Sequence, residues 1–323
     1  MQEDKNKTNF SDIGKEIAIE RLFEGSGYSN SGDFTLKNGQ TLHKVMLEGV
    51  DFDLIYTPLK HLGYKAALSI IGDAYANMTT PKHLSIVLGI SAKFYFEDIS
   101  DLWCGFLACV KEFEIEDVTL DLVPSINGLC ISMSLMSQIY PIKKSTPKSM
   151  DLICLSGNLG AAYMGLHVLE REKVAFSSKD AVQPNLEKYK YLLQQYLSPS
   201  IKKDTLKRVK EYKLEPSSAY FMTQSLASTI KKIEKKSKLG VKLYIDRLPI
   251  ASETFQMSEE LNIDAITAAI NGGEDYRFLF VVPIEKHPIV HKEFPDFDVI
   301  GHLAQPETGR VLVTPEGAEL NIP

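Results

Sequence analysis

The chain has 323 residues, of which 44% are hydrophobic and 24% charged, and its formal net charge is −6. This length and composition predict two globular domains, and the acidic balance gives no overall cationic field that would favour nucleic acid or an anionic membrane surface. No stretch approaches the roughly 18 consecutive apolar residues of a membrane helix, and the N-terminus lacks the apolar core of a signal peptide. The four cysteines show no metal-type pairing, so we expect reduced thiols in a cytoplasmic protein.

The first part of the chain alternates helix and strand patterns. In chain order, hydrophobic periodicity and turn residues predict a helix at 12–24, a glycine-rich loop at 25–41, a strand at 45–53, a helix at 57–78, a strand at 83–91 and a helix at 97–113. Two apolar runs, 118–124 and 129–138, then flank Asn127-Gly128, which is typical of a β-hairpin turn. These strands are apolar enough to bury both faces of a sheet, and such a sheet is an association site, so we expect a homodimer.

A connector rich in lysine and proline, at 141–149, separates this unit from a second one. The sequence divides into an N-terminal domain at 1–145, of ATP-binding and dimerisation type, and a C-terminal α/β domain at 146–323. The second domain begins with a strand, a glycine-containing turn and a helix, and continues with lysine-rich segments at 201–213 and 229–238, a helix at about 250–270 and several short strands. The lysine-rich segments are typical of solvated helix faces, so we expect no nucleic-acid binding.

Two glycine-containing turns are candidates for ligand contact. The stretch SGNLG directs helix N-terminal amides at any anion in the turn, although such a turn also occurs wherever a strand leads into a helix. Further along the chain, GGEDYRFLF places Glu274 just after two glycines and before a buried strand. Glu274 is thus predicted either to face a small-molecule ligand or to cap the amides of its own turn.

Several segments together resemble thiamine-monophosphate kinase, a member of the aminoimidazole-ribotide-synthetase-like superfamily. The resemblance runs from about residue 12 to the C-terminus and is carried by LEGVDFDLIYTPLKHLGYKAA, TPK, SGNLGAAYMGLHVLERE, LPI and GGEDYRFLF, in the family's order and spacing. It implies an N-terminal sheet that pairs with a second subunit into a barrel and a C-terminal α/β domain that closes over the nucleotide. The implied reaction is phosphoryl transfer from ATP to thiamine monophosphate, with Mg²⁺ held by clustered aspartates.

The chain departs from the family at most of the implied metal ligands. The family's paired acids near 26–29 are absent, and Lys44 replaces the acid before the EGV motif. The motif that supplies two further aspartates aligns with 221–225 and keeps neither carboxylate. Asp73 and Asp121 remain as the family's metal positions. Since a lysine repels the metal that an aspartate would hold, ordinary magnesium-dependent activity is not expected.

The resemblance also implies nucleotide and substrate contacts. Lys144 takes the place of an arginine on the ATP side, which keeps the charge but not the bidentate fork, and Asp121 belongs to the same side. Asp51 replaces a histidine that contacts substrate in the family, and Glu274 stands at a substrate-facing position.

Three hypotheses about function follow. The first is a catalytically silent relative with a binding or regulatory role. The second is a divergent thiamine-monophosphate kinase with an altered metal arrangement. The third is an unrelated activity in the same cleft, for which His43 near Asp51 is the single candidate pair.

Overall fold

The computed structural model describes residues 34–36, 39–176 and 186–322. Its first sheet has five strands in the order β1-β2-β5-β3-β4, and two helices pack on one face. In chain order these elements are β1 (Phe34–Leu36), β2 (Gly39–Leu47), α1 (Leu59–Ala76), β3 (Thr79–Ile90), α2 (Phe96–Glu112), β4 (Asp117–Pro124) and β5 (Cys130–Ile139).

The second sheet has seven strands in the order β12-β11-β8-β10-β6-β9-β7. Its elements in chain order are β6 (Leu152–Ser156), α3 (Ala161–Phe176), α4 (Lys190–Leu197), α5 (Thr205–Glu211), β7 (Ser218–Met222), α6 (Leu226–Ser237), β8 (Gly240–Tyr244), α7 (Ser252–Leu261), α8 (Ala265–Asn271), β9 (Arg277–Val282), α9 (His287–Glu293), β10 (Phe297–Ala304), β11 (Arg310–Val313) and β12 (Glu319–Asn321). The α/β fold class predicted from the sequence is confirmed, whereas the boundary between 145 and 146 stays a prediction.

Helix α1 is the central element of the molecule. It begins after Pro58, and its interior residues are almost all buried. It approaches α2 closely, because a Cβ atom on Gly63 would lie 2.1 Å from the carbonyl oxygen of Leu102, and one on Gly105 would lie 2.0 Å from that of Lys60. Glycine at both positions therefore sets the distance between the two helices.

The two sheets share one hydrophobic core. The largest buried cluster joins side chains of α1 and the first sheet, such as Ile70 and Leu84, to side chains of the second sheet, such as Phe278 and Phe280. Because α1 contributes to both, it fixes the first sheet against the second, and the candidate site lies at this contact.

The predicted hairpin at Asn127-Gly128 is wrong. Gly128 does adopt a positive φ of 86°. However, β4 pairs with β3 in parallel, and β5 pairs with β2 and with β3 in antiparallel fashion. Strand β3 therefore lies between the two strands that the turn connects, because its own apolar run is long enough to pair on both sides.

Other element boundaries also differ from the prediction. The strand predicted at 45–53 occupies Gly39–Leu47, and the following residues form turns. The helix predicted at about 250–270 is two helices separated at Asn262, whose φ is 51°. The predicted helix at 12–24 and most of the predicted loop at 25–41 lie outside the described residues.

The face of the first sheet opposite the helices is not uniformly apolar, contrary to the expectation from the sequence. Val45 and Met136 are 54% and 44% exposed there. Ser132 and Ser134 of β5 alternate with the buried residues of that strand and so point to the same face. Across the described residues no helix combines the length and apolar character needed to span a membrane.

We predict a homodimer through this open face, because exposed apolar side chains on a sheet favour association. Light scattering at micromolar concentration should give about twice the chain mass of 36.2 kDa. Val45→Glu should shift the protein to monomer, whereas Val50→Glu, which changes a valine that is 77% exposed in the following turn, should leave the dimer intact. A monomeric wild-type chain would contradict the prediction.

Candidate functional site

The candidate site lies where α1 meets β7 and the GGEDY segment. Phe221 on β7 is 7% exposed, and a Cβ atom on Gly72 of α1 would lie 2.2 Å from the Cδ1 and Cε1 atoms of its ring. The ring also packs edge-on against Tyr276, at 5.5 Å between centroids, and lies 5.0 Å from Phe278. Aromatic contacts therefore fill the space beside Gly72, the residue that precedes Asp73.

The carboxylate of Asp73 is paired with an ammonium group. The Nζ atom of Lys44 on β2 lies 3.1 Å from Oδ2 of Asp73 and donates to the carbonyl oxygen of Ser69 at 3.4 Å. The side chains of Lys44 and Asp73 are 22% and 37% exposed, so the pair is only partly shielded from water. A lysine of the same chain thus occupies the position next to Asp73 that a cation would need.

A second ammonium group lies under the GGEDY segment. The side chain of Lys65 is 4% exposed, and its Nζ atom lies 2.7 Å from Oε2 of Glu274. It also lies 3.9 Å from the ring centroid of Tyr196 and 5.5 Å from that of Tyr276. A carboxylate and two aromatic faces are the surroundings that stabilise a desolvated cation, so the chain supplies its own cation to Glu274.

The backbone of the GGEDY segment explains how its side chains reach these positions. Gly273, Glu274 and Tyr276 all have positive φ, at 82°, 62° and 54°. For the two residues that are not glycine, this conformation costs about 1–2 kcal/mol each, and the ion pair of Glu274 and the burial of Tyr276 offset it. Burial raises the pKa of Tyr276 far above its usual range, and the nearby charge of Glu274 raises it further, so the phenol stays neutral.

Asp275 fills the SGNLG turn. Its Oδ1 and Oδ2 atoms accept from the backbone N–H of Gly160 at 3.0 and 3.2 Å, at the start of α3. A helix N-terminus favours a negative charge, and here that charge belongs to the chain itself. Burial raises the pKa of Asp275 to about 7, opposed by the hydrogen bond from Gly160 and the charge of Arg277. The anion site that the turn pattern predicts is therefore occupied by an internal carboxylate.

Asp121 does not join this site within one chain. It is exposed on the edge strand β4, and its neighbours Leu120 and Leu122 point towards α2, where they line an apolar groove with Trp103. Since successive side chains of a strand point to opposite faces, Asp121 lies on the face of the sheet away from α1. Asp73 is on α1, so these two acids stand on opposite sides of the sheet.

Lys144 lies in a different cleft, whereas Asp51 is near the candidate site, because its charge, like those of Asp73 and Glu274, raises the pKa of Tyr276. Lys144 lines a small cleft with residues at the starts of β2 and β3, and desolvation together with repulsion from Lys236 lowers its pKa. Asp51 accepts from the backbone N–H of Leu47 at 2.7 Å and closes its own turn. His43 contacts Ser134 through Nδ1 at 2.9 Å, so the His43–Asp51 pair of the third hypothesis does not form.

Magnesium does not fit the residues of this site. Asp73 is the one metal position of the family resemblance that lies here, and it is paired with Lys44. Among the residues that the structure describes, no group of three or more histidine, cysteine or acidic side chains is arranged to hold a metal ion. Octahedral oxygen coordination requires several such ligands or bound phosphates, and an ammonium in contact with the remaining acid opposes it.

No protein-family model matches the chain. The thiamine-monophosphate kinase of Aquifex aeolicus is 24% identical over 264 residues, which cover 81% of this chain and 80% of that protein. A putative hydrogenase expression/formation protein of Methanocaldococcus jannaschii is 22% identical over 317 residues, with coverage of 95% and 90%.

The solved structures that resemble this chain are also thiamine-monophosphate kinases and hydrogenase maturation proteins. The crystal structure of thiamine monophosphate kinase from Aquifex aeolicus matches with a TM-score of 0.80 at 21% identity, covering 97% of this chain and 100% of that one. The structure of AaThiL complexed with AMPPCP and TMP also matches with a TM-score of 0.80, at 20% identity, and covers 98% of this chain and 97% of that one. A chain of the HypE-HypF complex gives 0.67, at 17% identity and coverage of 94% and 98%.

These matches place the chain in the class of two-sheet α/β proteins that includes thiamine-monophosphate kinase and HypE. Within this class the chain is similar in sequence to thiamine-monophosphate kinases over most of its length.

We predict that Gly72→Ser destabilises the protein, because any side chain at this position collides with the Phe221 ring. Overpacking of a filled core costs about 1–3 kcal/mol, which urea unfolding would measure. The substitution Phe221→Ala creates space at this contact. In that background, Gly72→Ser should lower the free energy of unfolding clearly less than it does in the wild type. Equal costs in the two backgrounds would show that the two residues are not coupled.

The pKa of Asp275 predicts a pH dependence of stability. A carboxyl group whose pKa is raised in the folded protein disfavours folding once it ionises, so its contribution worsens as the pH rises from about 4 to about 7. The unfolding free energy of the wild type, measured relative to that of Asp275→Asn, should fall over this interval by at most about 1.4 kcal/mol per pH unit. A difference that stays constant with pH would contradict the raised pKa.

Proposed function

We propose that this protein is a catalytically silent thiamine-monophosphate-kinase-like protein that acts by binding and does not perform magnesium-dependent phosphoryl transfer. The observation that carries the proposal is the contact of Lys44 with Asp73, beside the Phe221 ring that packs on Gly72. An ammonium and an aromatic ring there take the place of metal ligands.

The electrostatic argument concerns the space next to Asp73. Two unit charges 4 Å apart interact by about 4 kcal/mol at an effective dielectric constant of 20, and a divalent ion doubles this figure. Lys44 would therefore oppose a divalent ion 4 Å away by at most about 8 kcal/mol, and less because Lys44 and Asp73 are partly exposed to water. Since each 1.36 kcal/mol corresponds to a factor of ten in rate, the loss of this metal position removes several powers of ten from a metal-dependent reaction.

A binding role agrees with the parts of the molecule that stay intact. The fold, the shared core between the sheets and the open face of the first sheet are all present. We therefore propose a homodimer in the cytoplasm that binds a small molecule or a protein partner and needs no chemistry to do so. The HypE-HypF complex supports such a role, because a chain of this fold is found there with a second protein.

The alternative is a divergent thiamine-monophosphate kinase. It is favoured by the similarity to kinases over about four fifths of the chain. In that case acids from outside the described residues, such as Asp33, together with Asp121 and Lys144, would have to hold ATP and Mg²⁺ without the family's arrangement.

A coupled assay with ATP, Mg²⁺ and thiamine monophosphate tests the proposal. We expect no turnover above the blank, under conditions in which the Aquifex aeolicus kinase is active. Turnover that requires both Mg²⁺ and thiamine monophosphate would establish the alternative.

A thermal-shift measurement tests the metal argument separately. Millimolar Mg²⁺ with AMPPCP should change the melting temperature of the wild type little, because stabilisation follows the ratio of ligand concentration to Kd. Lys44→Asp removes the ammonium and should give a larger magnesium-dependent shift. The matched variant Lys82→Asp, which changes another strand lysine paired with an acid, should behave as the wild type. A shift of several degrees in the wild type would show that the site does hold metal.

A further inference from the structure

The two lysine-rich segments of the chain differ in how their charges are compensated. Around α5, Lys202 lies 3.2 Å from Asp296 and Lys203 lies 3.0 Å from Glu114. Arg208 forms a two-pronged contact with Asp296, at 2.7 and 3.2 Å. This segment is therefore a set of ion pairs that attaches α5 to its surroundings.

The second segment, on α6, lines a cleft of about 350 Å³. The buried side of the helix carries Ile230 and Ile233, while the cleft is lined by Gln224, Ser228, Lys231, Lys232, Glu234, Lys235 and Arg310. Four of these seven residues are cationic and one is acidic. The excess of positive charge is local, because the whole chain is acidic.

The single acid of the cleft is already engaged. Oε2 of Glu234 lies 3.3 Å from Nε of Arg310. Lys232 donates to the amide oxygen of Gln224 at 2.9 Å, and within the described ranges neither Lys231 nor Lys232 has an ion-pair partner. The Nη1 atom of Arg310 is buried and has no hydrogen-bond partner among the described residues. Buried donors of this kind normally have a partner, so the Arg310 guanidinium retains hydrogen-bonding capacity.

The spacing of the cations suits a short chain of phosphates. Lys231 and Lys232 are adjacent on one helix, so their ammonium groups can contact neighbouring phosphates. Arg310 approaches from β11, across the cleft. The volume lies at the lower end of the range found for small-molecule sites, and arginine and lysine are the residues that bind phosphate oxygens.

We propose that the cleft between α6 and β11 binds an oligophosphate anion, either free or as the phosphate chain of a nucleotide, without a metal ion. Lys231 and Lys232 contact the terminal phosphates, and the Arg310 guanidinium provides positive charge from the opposite wall. The cleft does not include Asp73, so the proposal does not depend on whether the protein is a silent kinase relative. Gln224, at one end of the cleft, packs against Gly273 of the GGEDY segment.

Calorimetry on the full chain in EDTA and low salt tests this site, with inorganic tripolyphosphate, ATP and adenosine as three separate titrants. We expect saturable binding of tripolyphosphate or ATP, one per chain, and none of adenosine. Similar affinities for tripolyphosphate and ATP would identify a site for the phosphate chain alone. Tighter binding of ATP would identify a nucleotide site. Failure of both to bind would overturn the proposal.

Matched variants distinguish binding in the cleft from a general electrostatic attraction to the protein surface. Lys231→Glu combined with Lys232→Glu should raise the Kd at least tenfold. Lys207→Glu combined with Lys210→Glu changes the net charge equally, on the exposed face of α5, and should have little effect. The pair Lys231→Gln and Lys232→Gln gives the same test if the glutamates disturb folding. Equal weakening by the α5 and α6 variants would show diffuse attraction and refute a site.

Discussion

The arrangement of the molecule depends on how closely the backbone of α1 can be approached. Gly63 admits α2 on one side and Gly72 admits the Phe221 ring on another, and at both places a Cβ atom would overlap its neighbour. Because α1 contributes to the core of both sheets, these contacts set the distance between the first sheet and the second.

Charges at this interface are neutralised from within. Lys44 pairs with Asp73, Lys65 pairs with Glu274, and Asp275 accepts from the amide at the start of α3. In each case a group of the chain has the sign of charge that an external ligand would bring. These three contacts are thus made within the folded chain itself.

Much of the fold followed from local patterns. The strand, turn and helix around SGNLG and the buried strand after GGEDY are confirmed, because hydrophobic runs and glycine positions specify them locally. The pairing of β4 and β5 was wrong, since Asn-Gly specifies a turn but not whether a third strand enters between the two it joins. Strand order depends on long-range competition, which a local pattern does not report.

The candidate site was harder to predict. Sequence comparison identified Asp73, Glu274 and the replacement by Lys44, but not that Lys65 would supply the partner of Glu274. A lysine within the apolar run of α1 was the available signal, because a buried lysine requires a partner. Nothing in the local sequence joins Gly72 to Phe221, which are brought together by the packing of the two sheets.

The fit of Phe221 on Gly72 restricts the order in which substitutions can accumulate. A side chain cannot return at position 72 while the ring is present, but the ring can be replaced by a smaller residue first, at the cost of a cavity. A lineage that regained polar ligands here would therefore have to change β7 before α1. The contact therefore fixes the order of such substitutions, with position 221 before position 72.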